Sequence, residues 1–132
     1  MQRQTLGPNG FSTCEALRSE GFAVPGTTGV FVEGTPKVGV FLHPSLNESG
    51  KLETVLLRAI AGEPVMQCVD GFMDCIKKVQ KMPLRNEEKS RVQAFLATRD
   101  KPGLTIGIAA ENNYFNFAHP AHAALKAFLQ AL

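Results

Sequence analysis

The sequence has little that would commit it to one chemistry. Its three cysteines, Cys14, Cys68 and Cys75, form no CxxC pair, and an odd count without that spacing argues against a disulfide framework and against a zinc site. A reducing cytoplasm is therefore the expected compartment. No apolar run approaches the roughly 20 residues that span a bilayer, and the opening MQRQTLGPNG lacks the apolar centre of a signal peptide, so no membrane partner is expected. A net charge of +2 over 132 residues leaves no electrostatic footprint for nucleic acid. Repeats, low-complexity tracts and DxD pairs are missing as well.

What is present is an ordinary globular composition, long enough for a single domain over residues 1–132 with its own core. Ser12 and Glu15 have capping-box spacing and Gly21 suits a left-handed stop, which predicts a short helix over residues 12–21. Two apolar runs follow, GVFVE and KVGVFLHP, separated by Gly34, Thr35 and Pro36, a tight connection between strands. The second run has almost no polar alternation, as expected of an inner strand covered on both faces.

Helical spacing then dominates. Leu52, Val55, Leu56, Ala59 and Ile60 predict one helix between Gly50 and Gly62. Val65, Val69, Phe72, Ile76 and Val79 predict a second through VMQCVDGFMDCIKKVQ, residues 65–80, with Asp70, Asp74, Lys77 and Lys78 as a solvated ion-pair face. Cys68 and Cys75, seven residues apart on that helix, are expected in the core, since about 10.5 Å of rise forbids a mutual disulfide. Asn86 can cap a further helix whose first turn carries Glu87 and Glu88. LTIGIAA, residues 104–110, reads as another strand, and Pro120 opens a last helix. His119 and His122 have the spacing of a metal pair but no third ligand nearby, and the aromatics of YFNF, Tyr114 to Phe117, lack the interleaved basic residues of a base-stacking surface. An inner strand of the kind read at KVGVFLHP belongs to a layered α/β domain, which is the fold class expected from the residues.

Open α/β sheets bind ligands beyond the carboxyl ends of their strands. The segment at that address, FLHPSLNESGKLE, supplies His43, Ser45, Asn47, Glu48, Ser49 and Glu53 as a candidate binding crevice. A carboxylate beside an imidazole and a hydroxyl can hold a divalent ion or handle protons. The plainer reading makes His43 a strand-end residue, Pro44 and Ser45 a turn, Asn47 or Ser49 a helix cap, and Glu53 a favourable first-turn charge.

Taken in order, KVGVFLHP, GKLETVLL, CVDGFMDCI, KSRVQAFLATR and FAHPAHAALKAFLQAL resemble an uncharacterised bacterial family related to the toprim domain, the metal-binding α/β module of primases, topoisomerases and some nucleases. The resemblance spans residues 11–132. It implies an α/β fold with a layered, mostly parallel small sheet flanked by helices, and the C-terminal portion of such a domain, because the catalytic glutamate and DxD pair that bind magnesium in toprim proteins would lie ahead of Met1. The family block continues with acids where this chain has Ser45 and Thr54, so Glu53 alone persists as a metal ligand. No cofactor is expected on this count, and magnesium is the ion the resemblance admits.

The resulting expectation is a non-catalytic or weakly active toprim-like domain that binds a nucleotide, nucleic acid or protein partner. Two alternatives accompany it: a magnesium-dependent phosphotransferase or nuclease whose site another chain completes, and a protein–protein interaction module acting through its sheet edge. A parallel sheet without its first strands would expose an edge and apolar faces, so a homo-oligomer or a missing partner segment is expected, by strand pairing or by helix packing.

Overall fold

The computed structural model describes residues 8–45 and 48–132. They run α1 (Pro8–Ser19), β1 (Val30–Val32), β2 (Val38–Val40), β3 (Pro44–Ser45), β4 (Glu48–Ser49), α2 (Leu52–Ile60), α3 (Val65–Gln80), α4 (Glu87–Ala97), α5 (Ile106–Glu111), a 3-10 turn (Pro120–His122) and α6 (Ala123–Gln130). The chain divides into two compact units, one holding the residues up to 51 together with Ala123–Leu132, the other Leu52–His122.

In the first unit, α1 stops where its sequence says it must. Gly21 takes φ +83°, its N–H donates to Arg18 O at 2.9 Å, and the N–H of Phe22 donates to Leu17 O at 3.0 Å. This is a Schellman end, which satisfies carbonyls the helix leaves open and favours a residue without Cβ. The start differs from expectation: α1 begins at Pro8, so Ser12 is an interior helical residue and not a cap.

The two apolar runs form a hairpin, antiparallel in the register Val30↔Val40, Phe31↔Gly39, Val32↔Val38. Phe31 lies across Gly39, where an added Cβ would sit 2.4 Å from the Phe31 ring, and it stacks on Phe128 of α6 with centroids 4.6 Å apart. Thr28, fully buried, holds the hairpin's exit: its Oγ1 accepts from the N–H of Leu42 at 2.8 Å and donates to Val40 O at 3.4 Å.

The mostly parallel sheet flanked by helices is overturned. Among the described residues the sheets are two-stranded and antiparallel, β1 with β2 and β3 with β4, and the fold is mostly helical. The reason lies in the connection. Parallel neighbours need a crossover of a dozen or more residues, usually a helix, whereas β1 reaches β2 through residues 33–37 alone. Val38–Val40 is consequently half-exposed instead of covered on both faces.

The second unit is helical throughout. Its core gathers Leu56 and Ile60 of α2, Met66 and Val69 of α3, and Val92, Phe95 and Leu96 of α4, with Ala109 and Phe115 completing it. Asn86 caps α4 as its position predicts, accepting from the N–H of Lys89 at 3.2 Å. The expected strand at LTIGIAA is instead α5. Thr105 caps it through the N–H of Ile108 at 3.4 Å, and the small residues Ala109 and Ala110 let a helical turn press close, with Ala109 at 0% exposure. A six-residue helix shows too few turns for its period to be read from sequence.

Helix α3 has the predicted bounds but a different buried face. Met66, Val69 and Met73 are buried, while Phe72 is 54% and Val79 74% exposed. Cys68 and Cys75, expected in the core, are exposed, and Cys14 is the buried cysteine. The apolar stripe of α3 is wider than the face it packs, so its outer margin stays bare.

Candidate functional site

The segment expected to close an inner strand has no such strand to close. After β2 the chain passes Phe41 and Leu42 and enters the β3–β4 pair, in register Pro44↔Ser49 and Ser45↔Glu48. Ser45, Glu48 and Ser49 are thus brought together by backbone pairing; Asn47 lies outside the described residues. Ser49 belongs to β4 and does not cap α2, which starts at Leu52. Glu53 stands in the first turn of α2, in the other unit.

His43 is half-buried, its ring edge-on to Phe41 with centroids 5.6 Å apart, and its Nδ1 has no hydrogen-bond partner among the described residues. Partial burial pushes its imidazole below the ordinary 6.5. Burial there favours the neutral ring over the charged one. Thr54, which stands where the resemblance places an acid, donates from Oγ1 to Glu88 Oε1 at 2.9 Å. A carboxylate at 54 would face Glu88 with like charge. Among the described residues no group of three His, Cys, Asp or Glu side chains is placed to hold a metal ion.

The charges of α3 behave as a solvated face. Asp70 pairs with Arg91, and Lys77 pairs with Asp74 at 3.4 Å and Glu87 at 3.0 Å. The hydrogen bonds to Glu87 and Asp74 hold the Lys77 ammonium above its ordinary range. The opposite margin of α3 carries no charge. Cys68, Phe72, Cys75 and Val79 follow one another at steps of four, three and four residues, the spacing of a coiled-coil seam, on the exposed side of the helix. Phe72 stands between two shallow grooves shared with α4, one of about 220 Å³ lined by Cys68, Ala94 and Thr98 and one of about 430 Å³ lined by Ile76, Leu84 and Gln93.

Sequence reasoning placed Phe72 and Val79 on the core face because they share the arc of Val65, Val69 and Ile76. The signal that would have separated them was present: the stripe contains one set of apolar residues more than a single helical neighbour can cover.

His119 and His122, paired by spacing, have separate surroundings. His119 Nδ1 accepts from the N–H of Ala121 at 3.1 Å, whereas His122 is 5% exposed, tilted against Phe117 at 5.1 Å, with Nε2 unpartnered among the described residues. Among the described residues no helix is long and apolar enough to cross a membrane.

Residues 10–132 match the model of one protein family, described as a protein of unknown function. No curated protein and no solved structure matches the chain.

Proposed function

The chain belongs to the DUF3226 family of proteins of unknown function, and we propose from that premise that it is a non-catalytic interaction module whose partner is a second copy of itself. The observation that carries this is the uncharged seam Cys68, Phe72, Cys75 and Val79 on the bare side of α3. Each chain carries both a projecting ring and grooves beside it, which is the self-complementarity a two-fold interface requires. Two α3 helices laid antiparallel about an axis between Phe72 and Cys75 would set Phe72 against Cys75 of the copy and Cys68 against Val79. The sheet edge is not needed for this, and helix packing takes its place.

Magnitudes make the pair a weak one. Fully burying a large apolar side chain contributes about 1.5–3 kcal/mol, and Phe72 and Val79 from two copies supply four. Loss of translational and rotational freedom opposes them with about 4–15 kcal/mol. Association is expected to depend on concentration, in a reducing compartment suited to exposed free thiols such as Cys68 and Cys75.

Light scattering across a concentration series under reducing conditions tests it. The wild type is expected to pass from monomer to dimer, and Phe72→Lys to remain monomeric with an unchanged melting temperature, since the ring is 54% exposed. A wild type that stays monomeric at the highest soluble concentration, or a Phe72→Lys dimer as tight as wild type, overturns the proposal. Stabilisation by magnesium that Glu53→Ala removes would instead favour the metal-dependent alternative.

A further inference from the structure

The second unit contains a depression apart from the α3 seam, lined in part by the YFNF segment, Tyr114 to Phe117. It has a volume of about 490 Å³, is half-open, and is formed by the loop before α3, the end of α4 and the loop after α5. Ligand pockets run from about 300 to 1,000 Å³, so its size suits a small metabolite. Its charged groups are one acid and one base, Glu63 and Arg99.

Neither charge is satisfied by the protein in a way that closes the site. The Glu63 carboxylate makes no hydrogen bond or ion pair with any described residue, although it shares a cavity with a guanidinium. Arg99 is held at its back: its guanidinium lies over the Phe95 ring, 4.4 Å from the centroid, and Nε and Nη2 both donate to Thr98 Oγ1, at 3.3 and 3.0 Å. A guanidinium has five N–H donors in a rigid fork, so those two bonds leave Nη1 and one further N–H for a ligand oxygen. Fixing the plane beforehand removes part of the ordering cost of binding.

The polar and aromatic surroundings are sorted. Asn116 spends its Oδ1 on the N–H of Ala118 at 3.0 Å, which leaves its amide N–H donors for an acceptor. Tyr114 is spent, since its hydroxyl donates to Asp100 and accepts from the N–H of Lys101 at 3.2 Å, so it offers a ring. Phe115 is buried beneath, and Phe117, 49% exposed, stands edge-on to it with centroids 6.5 Å apart. One anion, one cation with donors beside it, and an apolar wall call for a ligand that carries the opposite of each.

We infer that this depression binds a small zwitterion, a free amino acid with an aromatic or apolar side chain. Its carboxylate meets Arg99 and the amide of Asn116, its ammonium meets Glu63, and its side chain lies against Phe117. A simple anion would leave Glu63 repelling it, and a simple cation would do the same with Arg99; only a molecule bearing both charges gains from both. The site is independent of α3 pairing, and its failure would leave the self-association proposal untouched.

Calorimetric titration of the full chain with L-phenylalanine tests it, beside N-acetylphenylalanine, phenethylamine and adenosine monophosphate. Saturable binding is expected for phenylalanine, with each blocked compound weaker by about tenfold or more because each lacks one charge. Arg99→Met and Glu63→Gln should each lose binding by a similar factor. The ligand series on wild type decides the matter even where a variant fails to fold. No saturable phenylalanine binding up to its solubility limit, equal binding of the blocked compounds, or binding of the nucleotide alone overturns the inference.

Discussion

At His122 the cost of burying an imidazole falls on a single atom. The residue is 5% exposed, and its Nε2 has no partner among the described residues. A polar atom left so is tolerated when neutral and costly when charged. Burial, and after it the neighbouring His119, push the His122 imidazole below the ordinary 6.5, and burial moves His43 the same way. The unfolded chain therefore takes up these protons at higher pH than the folded one. Their stabilising contribution is complete above about pH 6.5 and is lost as pH falls through the window below it. The melting temperature is expected to drop between about pH 7 and pH 5, and more shallowly in His122→Gln. A profile of equal slope in wild type and variant would remove His122 from that account.

Among elements, the β1–β2 hairpin tests how tightly sequence and packing are joined. Gly39 opposes Phe31, and its missing Cβ is the space the ring occupies, with the Phe31 ring 2.4 Å away and Phe128 3.0 Å away. Phe31 cannot swing aside cheaply because it stacks on Phe128 at an interplanar angle of 11°. Gly39→Ala should destabilise by about 1–3 kcal/mol, and the cost should shrink in a Phe31→Leu background. Chemical denaturation midpoints of the four chains measure both. The sequence announced this hairpin through Gly34, Thr35 and Pro36, and announced α3 and α4 through their spacing and caps, because such signals act within one or two turns. It misdescribed α5, where six residues around Gly107 show too little period, and it placed Phe72 and Val79 inside, because a wheel records which residues share an arc and not how much of that arc a neighbour covers.

For the whole molecule, the distribution of burial predicts a distribution of local stability. Val92, Phe95 and Leu96 of α4 are at or below 1% exposure, whereas every residue of β1 and β2 is half-buried. Two-stranded hairpins are marginal without added packing, and regions with fewer buried contacts open at lower free energy. Native-state hydrogen exchange should therefore find the slowest amides in α4 and those of Val30, Val32, Val38 and Val40 faster by about tenfold or more. Comparable protection in the hairpin would show that burial of these side chains does not set the order.

The sequence by itself determined the local events. It set the left-handed stop at Gly21, the cap at Asn86, the turn between the two valine-rich runs and the bounds of α3, each specified by residues within a few positions of where it acts. Tertiary structure alone decided which surfaces remain open and which distant groups meet. The run at Val38 found its partner through a short loop and so became half of an antiparallel pair, and the segment from His43 to Glu53 was divided between two units. Glu63, Arg99 and the loop from Asn113 to Phe117 came to line one depression. No local pattern encodes that meeting, because it depends on how α2, α4 and α5 pack, and packing is settled by apolar area that only the folded chain can remove from water.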